Sequence, residues 1–263
     1  VRYLLIFCFW LLGSAVGAQG LFSMESAQDG RRWEGVGRLE LAGKGFCTGA
    51  LIAPRMVLTA AHCLFDPATG ARLPVEQMQF LAGWRNGRAA AYRYVRRAVP
   101  HPDFVYRGPL NPDRVQLDLA LLELQHPIRN TSIQPFATDH GPAQGARVGV
   151  VSYAHDRSEA PSLQELCEVL ARQEGMVVLS CAVDFGASGS PVFALDGDGA
   201  PRIVSVVSSK AEANGAPVAL ATDLDGPLQE LIAALEAKQD AGAGLERLSA
   251  GDRRATGAKF VRP

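Results

Sequence analysis

The stretch that most restricts how this chain can fold is Gly186-Ala187-Ser188-Gly189-Ser190-Pro191. Short β-rich runs flank it, Met176–Cys181 before and Val192–Leu195 after. A serine between glycines at a tight bend keeps its hydroxyl uncrowded. The glycines also let neighbouring backbone N–H groups converge on one point, as stabilisation of an oxyanion requires. Taken alone, the stretch is equally ordinary turn composition. Two upstream stretches change the balance: Thr59-Ala60-Ala61-His62-Cys63 and Asp118-Leu119-Ala120-Leu121-Leu122. A histidine, an aspartate and a serine then follow one another in the chain order of one of the three known arrangements of a nucleophilic triad.

The rest of the chain reads as short strands joined by turns. Its 263 residues can bury one large core or two small ones, and glycine and proline are frequent. Val36–Leu41 alternates with a period of two. Further strands are expected at 47–52, 56–58, 77–83, 91–99 and 119–124, and in the second half at 146–152, 167–171, 176–182, 192–195, 202–208 and 218–222. Residues 65–74 and the proline-rich 100–112 read as loops, the latter long enough to be functional or mobile. Residues 127–145 are rich in Pro, Thr, Ser and Gly and read as the crossing between halves. Helical spacing is confined to Leu228–Leu235. Lysine and arginine total 26 against 27 acidic residues, so neither nucleic acid nor an anionic membrane is implied as a partner.

Residues 1–18 have the pattern of a signal peptide, with Arg2, the apolar run Leu4–Leu12 and small residues Val16-Gly17-Ala18. Secretion or a periplasmic location follows, with no stable membrane association after cleavage. Residues 19–32 read as disordered or as a pro-segment, and 239–263 as a disordered tail. Beyond Cys8, four cysteines remain, Cys47, Cys63, Cys167 and Cys181, and three pairings are possible on paper. Zinc is the competing use, but no close Cys-x-x-Cys pair supports it, and no metal or cofactor is expected. His101, His126, His140 and His155 lie in loop-like contexts and read as surface residues.

From about Trp33 to about Leu235 the chain resembles the trypsin/chymotrypsin-like serine peptidases, and looks closest to their short secreted bacterial branch related to glutamyl endopeptidases. Phe46–Ile52, leading through Val57-Leu58 to the His62 motif, carries most of the likeness, with the triad order and the cysteine spacing. The resemblance implies an all-β fold of two antiparallel six-stranded β-barrels, 33–135 and 136–238, the second ending in a short helix. It implies the pairings Cys47–Cys63 and Cys167–Cys181, each closing a loop of about fifteen residues and worth roughly 3 kcal/mol.

The resemblance also implies a secreted endopeptidase that hydrolyses protein or peptide substrates as a monomer. Ser188 would attack, His62 would carry the proton, Asp118 would orient His62, and the N–H groups of Gly186 and Ser188 would hold the oxyanion. Ala182, Val183, Ser205 and Val207 would bind substrate. With Ala182 at the pocket base and Val207 where animal enzymes often have glycine, small aliphatic side chains such as Ala or Val are expected before the cut. Asp184 would come inward only through a local register shift. Ala187 stands where the animal enzymes carry an acid, so activation by a freed N-terminal amine is not expected. Two other readings are a catalytically silent binding protein on the same fold and an esterase. The Gly-x-Ser-x-Gly elbow of an α/β alternation is missing for the latter.

Overall fold

Alternating strands bury one face and continuously apolar strands bury both, and two packed barrels provide for each. A computed structural model describes residues 21–24, 30–106, 112–195 and 200–237. In the first half six strands, each paired with its neighbours, close into an antiparallel barrel. They are β2 (Val36–Leu41), β3 (Phe46–Ala53), β4 (Met56–Thr59), β5 (Met78–Ala82), β6 (Ala91–Pro100) and β7 (Ala120–Leu124). In the second half β8 (Arg147–Ala154), β9 (Arg157–Gln173), β10 (Met176–Leu179), β11 (Pro191–Ala194), β12 (Arg202–Ala213) and β13 (Ala216–Asp223) run β9-β10-β13-β12-β11-β8. Pairing of β8 with β9 closes this second barrel. A helix over 227–237 ends the described chain, as the helical spacing there predicts. Among the described residues no helix is long and apolar enough to cross a membrane.

β7 shows how the halves meet. Ala120, Leu122 and Leu124 point into the first barrel with Leu39, Leu51, Val57 and Phe80. Leu121 points the other way, into a cluster that joins Val36 and Leu58 of the first barrel to Val151, Tyr153, Phe193 and Val206 of the second. Continuous apolar sequence is what a strand buried on both faces requires. Trp33 and Phe136 each lie with ring centroids 4.8 Å from Phe193, fastening the crossing segment to the seam. Each such buried ring contributes about 1.5–3 kcal/mol through the water it leaves.

Several elements differ from expectation. Leu21–Ser23, read as part of a disordered stretch or pro-segment, form β1, which pairs antiparallel with residues 162–164 of β9. Met24 is buried, and its N–H donates to Pro161 O at 2.9 Å. β9 and β12 extend well past the expected 167–171 and 202–208. Their extra lengths carry charged or buried polar residues, Arg157, Glu159, Ser162, Gln164 and Glu165 on β9 and Lys210 and Glu212 on β12, so the apolar signal fades while the ladder continues. Inside the expected 100–112 loop, Pro112 opens a short helix α1 (Pro112–Gln116), consistent with proline's tolerance at a first helical position. The signal-peptide reading of 1–18 and the tail 239–263 lie outside the described residues.

Candidate active site

His62 sits in a 3-10 turn, Ala61–Leu64, that leaves β4. The next residue, Cys63, is bonded to Cys47 of β3, so the turn is tied to the barrel wall. The second bridge joins Cys167 to Cys181. Asp118 precedes β7 and is 2% exposed. Its carboxylate accepts from the His62 backbone N–H at 2.8 Å and from Ser208 Oγ at 2.5 Å, and lies 2.6 Å from His62 Nδ1. Burial pushes this carboxyl upward, but the charge and hydrogen bonds of His62, with the Ser208 hydroxyl, outweigh it and hold it below its ordinary value. With Nδ1 turned to the Asp118 carboxylate, the ring donates its Nδ1 proton there and keeps Nε2 for a partner of its own.

Ser188 comes from the loop between β10 and β11. Its carbonyl accepts from the Thr48 N–H of the first barrel at 2.8 Å. Gly189 N–H donates to Val207 O, and Val207 N–H donates to Ser190 O, so the second barrel holds the loop's other side. Gly189 has φ +79°, and a Cβ there would collide with Thr59 Oγ1 and the Thr48 carbonyl. Only glycine fits where the two barrels meet this closely. Gly186 has φ +94° and passes equally close to the Phe46 ring. Ala187, Gly189 and Ser190 spend their N–H groups on backbone carbonyls, whereas no backbone partner takes those of Gly186 or Ser188 among the described residues. His62 and Ser188 line the same two cavities, of about 320 and about 270 Å³.

Of the residues expected to bind substrate, Val183 and Val207 line the 320 Å³ cavity, and Ala182 and Ser205 do not. Ser205 is fully buried, and its hydroxyl donates to Thr222 O inside the second barrel at 2.7 Å. Ala182 is exposed beside Cys181, away from the cavity wall. Val207 is 1% exposed and packs largely into the second barrel's core. The sequence reading missed Ser208, Ser209, Lys210 and Arg114, which do line the cavity. Ser208 stands 90 residues from Asp118, and no local pattern links them.

His126, His140 and His155 are exposed, as expected; His101 is not. At 2% exposure its ring is covered by Glu230 of the terminal helix, 3.1 Å away. Among the described residues, two side-chain groups could hold a metal ion by proximity alone. In Cys47, His62 and Cys63, the sulfurs are spent in the disulfide. In His101, Asp103 and Glu230, the Asp103 N–H donates to His101 Nδ1, which places the ring's own proton on Nε2, the atom a metal would need bare.

The family model described as Trypsin matches residues 23–228. Serine protease 56 of Mus musculus is 36% identical over 96 residues, 36% of this chain and 14% of that protein. Serine protease 23 of Mus musculus is 29% identical over 165 residues, 56% of this chain and 42% of that protein. Granzyme M of Rattus norvegicus is 27% identical over 169 residues, covering 60% of this chain and 59% of its own length. The chain therefore spans less than two thirds of each of these relatives, all of them mammalian. Among solved structures, a Glu endopeptidase in complex with MPD superposes with a TM-score of 0.69 at 17% identity, over 84% of this chain and 98% of that one, a likeness of fold.

Proposed function

From its membership of the trypsin family, to which this chain belongs, we propose that it is a serine endopeptidase acting through Ser188, His62 and Asp118. The observation that carries the reading is the buried Asp118, hydrogen-bonded three times, behind a His62 that opens onto the cavities shared with Ser188. His62 Nε2 takes the Ser188 hydroxyl proton as Oγ attacks a peptide carbonyl, then delivers it to the departing amine. Water repeats the cycle on the acyl-enzyme. Asp118 stabilises the imidazolium without accepting its proton. The two uncommitted N–H groups, Gly186 and Ser188, receive the oxyanion, at about 3 kcal/mol per donor.

Export to an oxidising compartment is part of the proposal, supported by the two disulfides and the apolar run at Leu4–Leu12. So is a place in the short secreted bacterial branch, supported by Ala187 in place of the animal acid. Ala187 is fully buried and offers no charge to pair with a charged N-terminus. The direct test is hydrolysis of unfolded casein by the purified protein, with Ser188→Ala as the blank. Equal turnover by the two proteins contradicts the reading. Binding without cleavage favours a silent relative, and cleavage of esters alone favours an esterase.

A further inference from the structure

The outer surface of the first barrel carries a patch of charge that the proton transfers above do not use. Five arginines meet there: Arg93, Arg96 and Arg97 on β6, Arg55 in the turn before β4, and Arg129 in the segment after β7. Backbone bonds bring these segments together. Leu124 N–H donates to Arg55 O, Ile128 N–H to Pro54 O and Gln125 N–H to Tyr94 O, at 2.8, 2.7 and 2.9 Å.

The patch has one acid. Glu123 of β7 is 5% exposed, and Arg97 takes one of its carboxylate oxygens with two nitrogens, at 2.7 and 2.6 Å. Arg96 and Arg55 approach the other oxygen only to 3.5 and 3.9 Å, with side chains 61% and 42% exposed. Arg93 spends its donors on carbonyl oxygens, Nη1 on Tyr92 O and Nε and Nη2 on Pro127 O. It is thereby held in place with its charge uncompensated. Among the described residues no acid pairs with Arg93 or Arg129, and both line an open hollow of about 460 Å³. Tyr92, Tyr94 and Arg96 turn outward at every second position of β6, so the charge stands beside exposed aromatic surface. Across the whole chain 26 basic side chains balance 27 acidic ones, so the surplus here is local. Like charges gathered around one committed acid repel one another until an anion arrives.

We propose that this patch is a docking surface for an acidic segment of the protein substrate, remote from the residues at the cut. The inference rests on the peptidase reading of Ser188. Guanidinium forks pair with carboxylate, sulfate and phosphate alike. What selects a polypeptide is reach. Glu123 follows Asp118 by five positions, so the patch begins no more than about 17 Å from the triad, at about 3.3 Å per extended residue. An unfolded chain seated at Ser188 covers that span with on the order of ten further residues. The docked carboxylates and the reacting bond then belong to one molecule, and the second contact forms at the high effective concentration of a short linker.

The test uses the full chain and peptides that share one cleaved sequence but end in a run of Asp, Asn or Lys. The run is joined through a Gly-Ser spacer of about ten residues, on either side of the cut. At low salt the Asp run on one side should raise kcat/KM over the Asn run by about tenfold, through KM, the combined scale of a few exposed ion pairs. The gain should vanish at about 0.5 M salt. Arg96→Gln with Arg129→Gln should bring the Asp-to-Asn ratio close to one, and Arg96→Glu with Arg129→Glu should move the gain to the Lys run. Without turnover, a fluorescent Asp-run peptide should bind the Ser188→Ala protein in anisotropy titrations and lose about tenfold in affinity when the two arginines are also replaced by glutamine. An Asp-to-Asn ratio of one in the wild type, or a gain that survives both double variants, overturns the inference and leaves the peptidase reading standing. So does binding of a heparin fragment or a single-stranded oligonucleotide through these arginines when the Asp-run peptide does not bind. Cleavage of none of the peptides, nor of casein, overturns the peptidase reading and the docking role with it.

Discussion

Two histidine–carboxylate pairs in this molecule share a chemistry and differ in which partner is hidden. In the first, His62 Nδ1 and Asp118 Oδ2 are 2.6 Å apart, with side-chain exposures of 24% and 3%. In the second, His101 Nε2 and Glu230 Oε2 are 3.1 Å apart, with exposures of 2% and 58%. A buried carboxylate behind a half-open ring leaves one ring nitrogen free to exchange a proton with a substrate. A buried ring behind an exposed carboxylate has no such opening, and its Nε2 lies near Glu230 without a hydrogen bond to it. Proximity of histidine and acid is common to both; the direction of exposure is what suits the first for proton transfer.

The sharpest way to break this contrast is to neutralise each acid without changing its shape. Asp118→Asn should lower kcat about 10⁴-fold, because the amide favours the wrong imidazole tautomer. Glu230→Gln should leave kcat within about twofold, since surface changes of this kind are usually small. Comparable losses in a peptide-hydrolysis assay would erase the distinction. The disulfides sharpen it next. Removing either bridge should cost roughly 3 kcal/mol of stability in urea titrations. Replacing Cys47 and Cys63 should in addition lower kcat, because Cys63 adjoins His62, whereas Cys167 and Cys181 lie away from the pair. Equal kcat losses in the two double variants would contradict that.

Smaller effects should come from Ser208 and from titration. Ser208→Ala removes one charge-assisted hydrogen bond from Asp118, so kcat should fall by about tenfold with KM little changed. A rise in KM alone would reassign the hydroxyl to substrate binding. Asp118 titrates below its ordinary value of 3.8 in the folded protein. Its contribution to stability is thus complete above 3.8 and lost as pH falls through the lower folded value. The urea midpoint difference between wild type and Asp118→Asn should shrink over that window. A third pair has the opposite sign: the Asp225 hydrogen bond raises His140 above 6.5, so its contribution is present below 6.5 and lost as pH rises past the folded value. Both partners there are solvated, and His140→Gln should change the midpoint least of all.

Much of this was readable in the sequence, and the failures have physical causes. Alternating or continuous apolar runs locate strands because burial leaves its mark on composition, and the spacing at Leu228–Leu235 marks the terminal helix, whereas the closing of the strands into two barrels was expected only from the family resemblance. The outer lengths of β9 and β12 were missed because backbone ladders continue where side chains become polar. His62, Asp118 and Ser188 announce themselves through local motifs. Ser208 does not, since its hydroxyl reaches Asp118 only after the barrels have packed. Ala182 and Ser205 were placed at the cavity and do not line it, whereas Ser208, Ser209 and Lys210 do; the bulge between Val207 and Ser209 shifts the register from which the latter would be read. His101 was read as a surface residue because the helix that covers it lies more than a hundred positions along the chain.

The central claim is that Ser188 is a nucleophile activated by His62 and Asp118. It is tested most directly by treating folded protein with a fluorophosphonate and locating the adduct by peptide mass spectrometry. The account predicts a single adduct on Ser188, with labelling slowed by orders of magnitude in His62→Ala and in Asp118→Asn but unaffected by Glu230→Gln. An adduct on another residue, or labelling of Ser188 at the same rate in His62→Ala, would contradict it.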